Sequence, residues 1–293
     1  MALSWTPQRT DDGSFTFFSE EFGEAFHSSR GARAEAFDKF AEATKLVERA
    51  KGDRLQLLDV CYGLGYNTAA ALETVWATNP QCCVTVYGLE LDPTVPEAAT
   101  QPPLVDVWTP PLRSILQELA HAQQSQRPEL EAHLLIGDAR QTIQPLAQSG
   151  FQADAIFFDP FSPRRCPQLW TVEFFAQVAQ CLAPGGILAT YSRAASVRRA
   201  MQLAGLHIGS MPLPVGDGLP HEWSQGTVAS LDVVDLPPLS PMEQEHLQTR
   251  AAIPYRDLTL QESPEAIAQR HQQEQAASSL ESTSSWRRRW NIR

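Results

Sequence analysis

Acidic residues stand at the ends of four short apolar segments of this sequence. Asp59 follows LQLL, Glu90 follows VTVYGL, Asp138 follows HLLIG and Asp159 follows AIFF. At the carboxyl edge of a parallel sheet, Glu90 can accept two hydrogen bonds from the hydroxyls of a ribose, and Asp138 would lie beside the same crevice. Either residue could instead cap a helix. The succession of acid-terminated segments favours a shared ligand that contains an adenosine.

A glycine-rich turn, CYGLGYN, separates Asp59 from the helical pattern that follows. Gly63 and Gly65 let the backbone turn sharply and approach a ligand closely, and the helix that starts near Asn67 offers free N–H groups. The dinucleotide fingerprint would require a further glycine at position 68, where the sequence has Thr68. The turn therefore predicts a cofactor without a pyrophosphate, held by acids and backbone groups.

The segment that begins at Asp159, DPFSPRRCPQLW, combines prolines with aromatic residues. Prolines restrict the backbone, so this loop can form a stiff wall of a pocket at the edge of the sheet. We predict that the reaction takes place here and that Asp159 faces the reacting group. The alternative is that Asp159, which precedes Pro160, is a turn residue.

The elements that must position these residues form an alternation of apolar strands and helices. Strands are predicted at residues 55–60, 83–89, 133–136, 153–158, 186–191, 207–210 and 227–234. Helices are predicted after the first, second, fourth and fifth of these strands. Near-continuous apolar strands separated by helices indicate an α/β fold, a mostly parallel sheet covered on both faces, and the last two strands could form an antiparallel edge.

Three regions follow from this pattern. Residues 1–45 form an N-terminal extension with a hairpin and the start of an amphipathic helix over residues 32–49. Residues 46–235 form the main α/β domain. Residues 236–293 are more polar and are expected to wrap around that domain as a C-terminal appendage whose end is disordered.

Composition narrows the classes of protein that remain. The chain has 293 residues, of which 43% are hydrophobic, and neither a membrane-spanning segment nor a signal peptide is evident, which predicts a cytoplasmic protein without a membrane partner. Its five cysteines and seven histidines show no metal-binding spacing, so no metal site is predicted. A net charge of -11 argues against a protein that coats nucleic acid. Local basic clusters exist nevertheless, including Arg198-Arg199 and the terminal SWRRRWNIR.

Taken together, these segments resemble S-adenosylmethionine-dependent methyltransferases with a Rossmann-like class I fold. The span from FFDPFSPRRCPQLW through LAPGG, TY and VRR to AGL is similar to the methyltransferase half of MnmC, the bacterial bifunctional enzyme that modifies the wobble uridine of tRNA. The lead-in DGSFTFFSEEFGEAF and the segment RAAIPYRD also resemble stand-alone members of this family. The resemblance covers about residues 5–260.

The resemblance implies a cofactor, a substrate and a set of site residues. The cofactor is S-adenosylmethionine, and the substrate is the aminomethyl nitrogen of 5-aminomethyl(-2-thio)uridine in the anticodon region of tRNA. The implied cofactor-binding residues are Asp59, Tyr62, Gly63, Gly65, Asn67, Glu90, Asp138, Ala139 and Asp159. Asp159 is also the candidate catalytic residue. The candidate contacts to RNA are Phe161, Trp170 and Tyr191 for the base and Arg198 and Arg199 for phosphates.

The sequence also departs from the family pattern. Cys166 stands where the family has an asparagine, Pro160 where it has a small residue and Leu206 where it has an aromatic residue. No segment resembles the FAD-dependent oxidase half, so a separate enzyme is expected to supply the aminomethyl-uridine precursor. Two other functions stay open, a methyltransferase that acts on a small molecule or a protein, and a protein that binds S-adenosylmethionine without catalysis.

Overall fold

The computed structural model describes residues 5–213, 223–232 and 235–292. Its N-terminal segment forms two short antiparallel hairpins and an interrupted helix. The elements are β1 (Gln8–Arg9), β2 (Phe15–Thr16), β3 (Phe18–Ser19), β4 (Glu24–Ala25), α1 (Ala32–Ala36), a π-helical turn (Phe37–Glu42) and α2 (Leu46–Arg49). The sequence predicts one helix over residues 32–49. That helix is interrupted at Lys45, whose φ of 59° lies in the left-handed region.

A central sheet follows. Its strands are β5 (Arg54–Val60), β6 (Cys83–Glu90), β7 (Gln124–Arg127), β8 (Leu130–Ile136), β9 (Ala153–Phe158), β10 (Leu182–Thr190), β11 (His207–Met211) and β12 (Gly226–Ser230). The strand order is β11-β12-β10-β9-β5-β6-β8-β7. Strands β10, β9, β5, β6 and β8 are parallel, while β12 is antiparallel to both of its neighbours and β7 is antiparallel to β8. The predicted parallel sheet with an antiparallel edge is confirmed.

Helices cover both faces of this sheet. They are α3 (Tyr66–Thr78), α4 (Thr94–Ala99), α5 (Pro110–Ala122), α6 (Ala139–Gln148), α7 (Val172–Gln180) and α8 (Ala195–Leu203). The two helical layers produce two apolar cores, because successive side chains of a buried strand point to opposite faces. Phe157 packs in one core, and its neighbours Ile156 and Phe158 pack in the other.

Two elements differ from the sequence-based prediction. Strand β7 has the polar sequence QSQR, so hydrophobic periodicity does not predict it. It forms because it pairs with β8 in an antiparallel hairpin. Helix α6 was not predicted after the third strand. It contains Pro145, which normally argues against a helix interior. The helix forms nevertheless because Asp138 caps its first turn and Ile143 and Leu146 bury its inner face.

The C-terminal segment packs on the domain, and its end is helical. It contains α9 (Pro241–His246), α10 (Pro264–Ala277) and α11 (Thr283–Arg289). Trp286 of α11 is buried, and its indole N–H donates to the carbonyl of Met242 at 3.1 Å. The predicted disordered end therefore differs from the structure, because a buried tryptophan attaches the last helix.

The topology gathers the carboxyl ends of the parallel strands at one edge. The chain leaves β5 towards β6 on one side, whereas β9 lies on the other side, so the order reverses between β5 and β9. Ligands of open α/β sheets bind at such a point. Of the predicted strand over residues 227–234, Val233 and Val234 lie outside the described residues, as do residues 214–222 before β12. In the described part of the chain, no helix has the length and apolarity needed to span a bilayer.

Candidate active site

A cavity of about 530 Å³ opens at the carboxyl edge of the sheet, and we call it the main cavity. It lies over the point where the strand order reverses. The predicted site residues that line it are Gly63, Glu90, Asp138, Ala139, Asp159, Phe161 and Tyr191. The structure therefore brings together residues from the ends of five parallel strands that are distant in sequence.

The glycine turn after β5 shapes one wall of the main cavity. Gly63 and Gly65 have φ values of 55° and 78°, in the left-handed region that favours glycine. A Cβ atom at Gly65 would lie 2.6 Å from the hydroxyl oxygen of Tyr62. Tyr62 itself is buried beneath the turn and does not line the main cavity. Its ring fills the space that the two glycines at positions 65 and 88 leave open. A contact between Tyr62 and the cofactor stays a prediction.

Glu90, at the end of β6, is held by backbone groups on both carboxylate oxygens. Gly63 N donates to Oε2 at 2.7 Å, and Asp92 N donates to Oε1 at 2.9 Å. Burial raises the pKa of Glu90, and these backbone hydrogen bonds oppose that effect. Each carboxylate oxygen has a second lone pair, so the fixed carboxylate can still accept hydrogen bonds from a ligand in the cavity.

Asp138 combines the two roles that its position suggests. Its side chain caps α6 by accepting a hydrogen bond from Arg140 N at 2.9 Å, and it forms a salt bridge with the Arg140 guanidinium at 2.7 Å. Arg140 also contacts the buried carboxylate of Asp257 at 2.8 Å. Asp257 belongs to the segment RAAIPYRD, which therefore serves to fix the end of the third parallel strand. The carboxylate of Asp138 remains partly exposed at the main cavity.

Asp59 lies behind the site. Its side chain is fully buried and accepts a hydrogen bond from the Thr68 hydroxyl at 2.7 Å, while Oδ1 has no partner. Burial is the main reason why the pKa of Asp59 is raised to about 8, which keeps the carboxyl protonated at neutral pH. Asp59 does not line the main cavity, and its contact with the cofactor stays a prediction. Its hydrogen bond to Thr68 attaches the first turn of α3 to the end of β5.

Asp159 follows β9 and faces the main cavity. Its Oδ2 accepts a hydrogen bond from Asn67 Nδ2 at 3.0 Å. Burial raises the pKa of Asp159 to about 7, and the negative charge of Glu35 adds to this effect, whereas Asn67 and Lys39 oppose it. The carboxyl can therefore exchange a proton near neutral pH. Asn67 is buried and touches Asp159 without itself lining the cavity.

The N-terminal segment forms one wall of the main cavity, a contact that the sequence does not predict. Phe22 stacks on Phe161 with ring centroids 4.4 Å apart, and Phe26 meets the same ring edge-on at 4.8 Å. Glu24 accepts hydrogen bonds from the backbone N–H and the hydroxyl of Ser162, at 2.9 and 2.5 Å. The signal that could have revealed this contact is the alternation of aromatic and acidic residues in FTFFSEEFGEAF.

Acidic side chains outnumber basic ones in the lining of the main cavity. The carboxylates that line it are Glu21, Glu24, Glu35, Glu90, Asp92, Asp138 and Asp159. Among the described lining residues, Lys39 is the single lysine or arginine, and it forms an ion pair with Glu35. An acid-lined cavity suits cationic ligands and disfavours phosphates.

Trp170 and Arg198 were both predicted to contact the substrate, but their side chains lie in the core, so neither can do so. Trp170 is fully buried against Phe158, and its indole N–H donates to the carbonyl of Phe161 at 2.8 Å. It supports the cavity wall from behind and presents no face to a base. Phe161 and Tyr191, by contrast, are half-buried and line the main cavity.

Arg198 is also in the core, with 1% of its surface exposed. It forms a salt bridge with Glu243 at 2.8 Å and donates to Thr227 Oγ1 at 2.9 Å. The prediction that it contacts RNA phosphates is wrong, because the ion pair fixes the C-terminal segment to α8. Arg199 is exposed, contacts Gln202 of the same helix and does not line the main cavity.

Comparisons with known proteins identify the chemistry of this site. A family model described as S-adenosyl-L-methionine-dependent methyltransferase matches residues 102–216. The crystal structure of MnmC2 from Aquifex aeolicus is 30% identical, aligns with 94% of this chain and 86% of that chain, and gives a TM-score of 0.80. This chain belongs to the MnmC family of methyltransferases. Its fold is the Rossmann-like class I fold, its cofactor is S-adenosylmethionine, and its activity is S-adenosylmethionine-dependent methyl transfer.

Curated relatives include larger proteins of the same family. The "tRNA 5-methylaminomethyl-2-thiouridine biosynthesis bifunctional protein MnmC" of Aromatoleum aromaticum is 32% identical over 217 residues, which is 69% of this chain and 32% of that protein. The protein of the same name from Azoarcus sp. is 30% identical over 215 residues, 69% of this chain and 32% of that protein. The chain thus spans about a third of the length of these MnmC relatives.

The residues of the main cavity fit S-adenosylmethionine. The cofactor contains a ribose, an ammonium group and a sulfonium, and the cavity offers carboxylates without an arginine among its described lining residues. Gly63 lets the Phe26 ring pack against the turn, since a Cβ atom there would lie 3.3 Å from that ring. This donor set matches a cationic nucleoside better than a dinucleotide.

Proposed function

We propose that this protein transfers a methyl group from S-adenosylmethionine to the aminomethyl nitrogen of 5-aminomethyl(-2-thio)uridine at the wobble position of tRNA. Membership of the MnmC family supports this substrate, because the bifunctional relatives are named for the biosynthesis of 5-methylaminomethyl-2-thiouridine in tRNA. The single structural observation that carries the proposal is the position of Asp159, a carboxyl with a pKa near 7 in a cavity lined by acids.

The acceptor must present a neutral amine to an electrophilic methyl group. S-adenosylmethionine, when bound, supplies a methyl already activated by a sulfonium. Asp159 is suited to accept a hydrogen bond from the attacking nitrogen and to take up the proton that this nitrogen releases. A pKa near neutrality favours such a transfer, and the surrounding carboxylates stabilise positive charge that develops at the nitrogen.

Cofactor contacts can be assigned by their geometry in the same way. Glu90 is suited to the ribose hydroxyls, because backbone N–H groups already fix both of its oxygens. Asp138 and the adjacent Ala139, at the start of α6, are suited to the adenine side of the cavity. Asn67 is assigned as a positioning residue, since it contacts Asp159 and not the cavity.

The wobble base must leave its stack to reach the methyl group. The half-buried faces of Phe161 and Tyr191 are suited to receive it, and both rings are held in place. The Tyr191 hydroxyl donates to the carbonyl of Pro160 at 2.8 Å, and Phe161 stacks on Phe22.

The aminomethyl group is the product of another reaction, which we assign to a separate enzyme. A substrate of this kind places the activity in the cytoplasm.

The test uses labelled S-adenosylmethionine and three acceptor fractions from cells that lack the gene: bulk tRNA, protein, and small molecules. The proposal predicts label in the tRNA fraction that ribonuclease releases. Label in protein or small molecules alone would favour the other methyltransferase functions. Binding of S-adenosylmethionine without transfer to any fraction would favour a binding protein.

A further inference from the structure

A second cavity, which we call the side cavity, adjoins the main cavity. Its volume is about 840 Å³, and the residues that line both cavities are Ser28, Glu35, Lys39 and Tyr191. The side cavity therefore meets the main cavity at the wall assigned to the acceptor base. A substrate larger than one nucleoside must continue beyond that wall, and the side cavity provides the space for it.

The charge of the side cavity differs from that of the main cavity. Arg30, Lys39 and Arg193 line it, against the two carboxylates of Glu35 and Asp38. Glu35 is already paired with Lys39. The guanidinium of Arg193 lies over the ring of Trp223, 4.4 Å from its centroid, which presents a flat cationic and aromatic surface. Such a combination suits a nucleotide, whose base stacks and whose phosphate is anionic.

An aromatic column connects the side cavity to the C-terminal helix. Trp223 and His246 line the side cavity. The His246 ring stacks on Trp286 of α11 with centroids 4.0 Å apart, and Trp223 meets Trp286 edge-on at 6.1 Å. Since Trp286 is buried, this column fixes the position of α11 at the rim of the side cavity.

The last turn of α11 contains three consecutive arginines. Arg287, Arg288 and Arg289 follow Trp286 directly and are exposed. Arg289 forms salt bridges with Glu245 and Glu281, whereas Arg287 and Arg288 pair with no carboxylate in the described part of the chain. Arg287 directly follows Trp286, whose ring stacks on His246 of the side cavity, and its positive charge adds to the effects of burial and Arg198 that lower the pKa of His246.

We propose that Arg287 and Arg288 of α11, with Arg30 and Arg193 of the side cavity, form a surface that binds the RNA phosphates next to the methylated nucleotide. This inference rests on the proposed function and adds its docking surface. In a protein with a net charge of -11, a local group of arginines beside the acceptor wall provides the attraction that RNA requires. The C-terminal helix is then part of the substrate site and not only a cover of the fold.

The test compares two pairs of charge reversals. Arg287→Glu/Arg288→Glu changes the proposed surface, and Lys51→Glu/Arg54→Glu is the matched control. Lys51 and Arg54 are exposed beside the amino end of β5, away from the carboxyl edge, and the control changes the net charge equally. Binding of bulk tRNA is measured by filter retention over a salt series. Affinity for S-adenosylhomocysteine and the melting temperature report that each variant is folded.

The proposal predicts at least about tenfold weaker tRNA binding by the α11 variant, with little change in the control. Loss of two phosphate contacts should also reduce the slope of log affinity against log salt by about 1.4 to 1.8. The milder Arg287→Gln/Arg288→Gln variant should show an intermediate loss. If the wild-type protein methylates tRNA and the α11 variant binds it as tightly as the control does, the docking surface is refuted while the proposed function stands. If the wild-type protein neither binds nor methylates tRNA, both proposals fail.

Discussion

Asn67 donates a hydrogen bond from its side-chain amide to the carboxylate of Asp159 at 3.0 Å. Asn67 belongs to the first turn of α3, directly after the glycine turn, whereas Asp159 follows β9. The contact therefore joins the wall that shapes the cofactor side of the cavity to the carboxyl assigned to the acceptor. This hydrogen bond couples the two halves of the site.

Replacement of Asp159 tests its assigned role as proton acceptor. Asp159→Asn keeps the shape of the side chain but removes the carboxylate, so we expect turnover to fall by about 10²- to 10⁴-fold. Affinity for S-adenosylmethionine, measured by calorimetry, should change little. An unchanged rate would remove Asp159 from the reaction.

Replacement of Asn67 tests the coupling through a pH profile. The hydrogen bond from Asn67 lowers the pKa of Asp159, which burial raises to about 7. Asn67→Ala should therefore raise this pKa and move the acidic limb of kcat/KM to higher pH, because the carboxylate is the active form. Wild-type activity should rise with pH up to about 7. An acidic limb at the same pH in both proteins would contradict the coupling.

Replacement of Glu90 tests the cofactor assignment. Glu90→Ala removes the carboxylate from the cavity, and a hydrogen bond to a charged group contributes about 1.5–3 kcal/mol. We expect affinity for S-adenosylmethionine to fall by about 10- to 100-fold in calorimetry. Glu97→Ala is the control, since Glu97 is exposed on the nearby α4 and does not line the cavity. Equal affinities in the two variants would rule out Glu90 as a ligand contact.

The Arg198–Glu243 ion pair makes a prediction about stability. Arg198→Met leaves the buried Glu243 carboxylate without its partner, which should cost about 3–5 kcal/mol of unfolding free energy. The double variant Arg198→Met/Glu243→Leu should recover most of that loss, because neither charge remains buried. Urea denaturation measures both. A double variant as unstable as the single one would show that the charge is not the cause.

The buried carboxyl of Asp59 predicts a pH-dependent stability. Its pKa is about 8 in the folded protein and near the ordinary value of 3.8 when unfolded, so the folded state binds the proton more tightly. Stability should therefore fall as pH rises between these values, and Asp59→Asn removes that dependence. The melting temperature of Asp59→Asn minus that of wild type should therefore increase from pH 5 to pH 8. The exposed Asp53, changed to Asn, is the control, and parallel curves for Asp59→Asn and wild type would contradict the shift.

Sequence periodicity predicted most of the sheet. The apolar segments ending at Val60 and Phe158 form β5 and β9 with nearly the predicted bounds, because strands buried on both faces are apolar throughout. Periodicity does not reveal β7, whose polar residues are held by pairing with β8. It also missed α6, because Pro145 argues locally against a helix that tertiary packing maintains.

The candidate site was predicted in part for a similar reason. The end of a strand fixes where Glu90 and Asp159 emerge, so spacing alone locates them at the cavity. Whether a side chain is buried depends on residues far away in the sequence, and the spacing of motifs does not identify those residues. Arg198 is in the core because Glu243 lies opposite, and Phe22 reaches Phe161 because an N-terminal hairpin folds over the sheet edge.

The identity of the methylated nucleoside tests the proposed function most directly. The purified protein is incubated with labelled S-adenosylmethionine and tRNA from cells that lack the gene, and the tRNA is digested to nucleosides for mass spectrometry. The proposed function predicts that the label appears in 5-methylaminomethyluridine or its 2-thio form, and that Asp159→Asn abolishes most of it. Label on a different nucleoside, or tRNA that stays unlabelled, would contradict it.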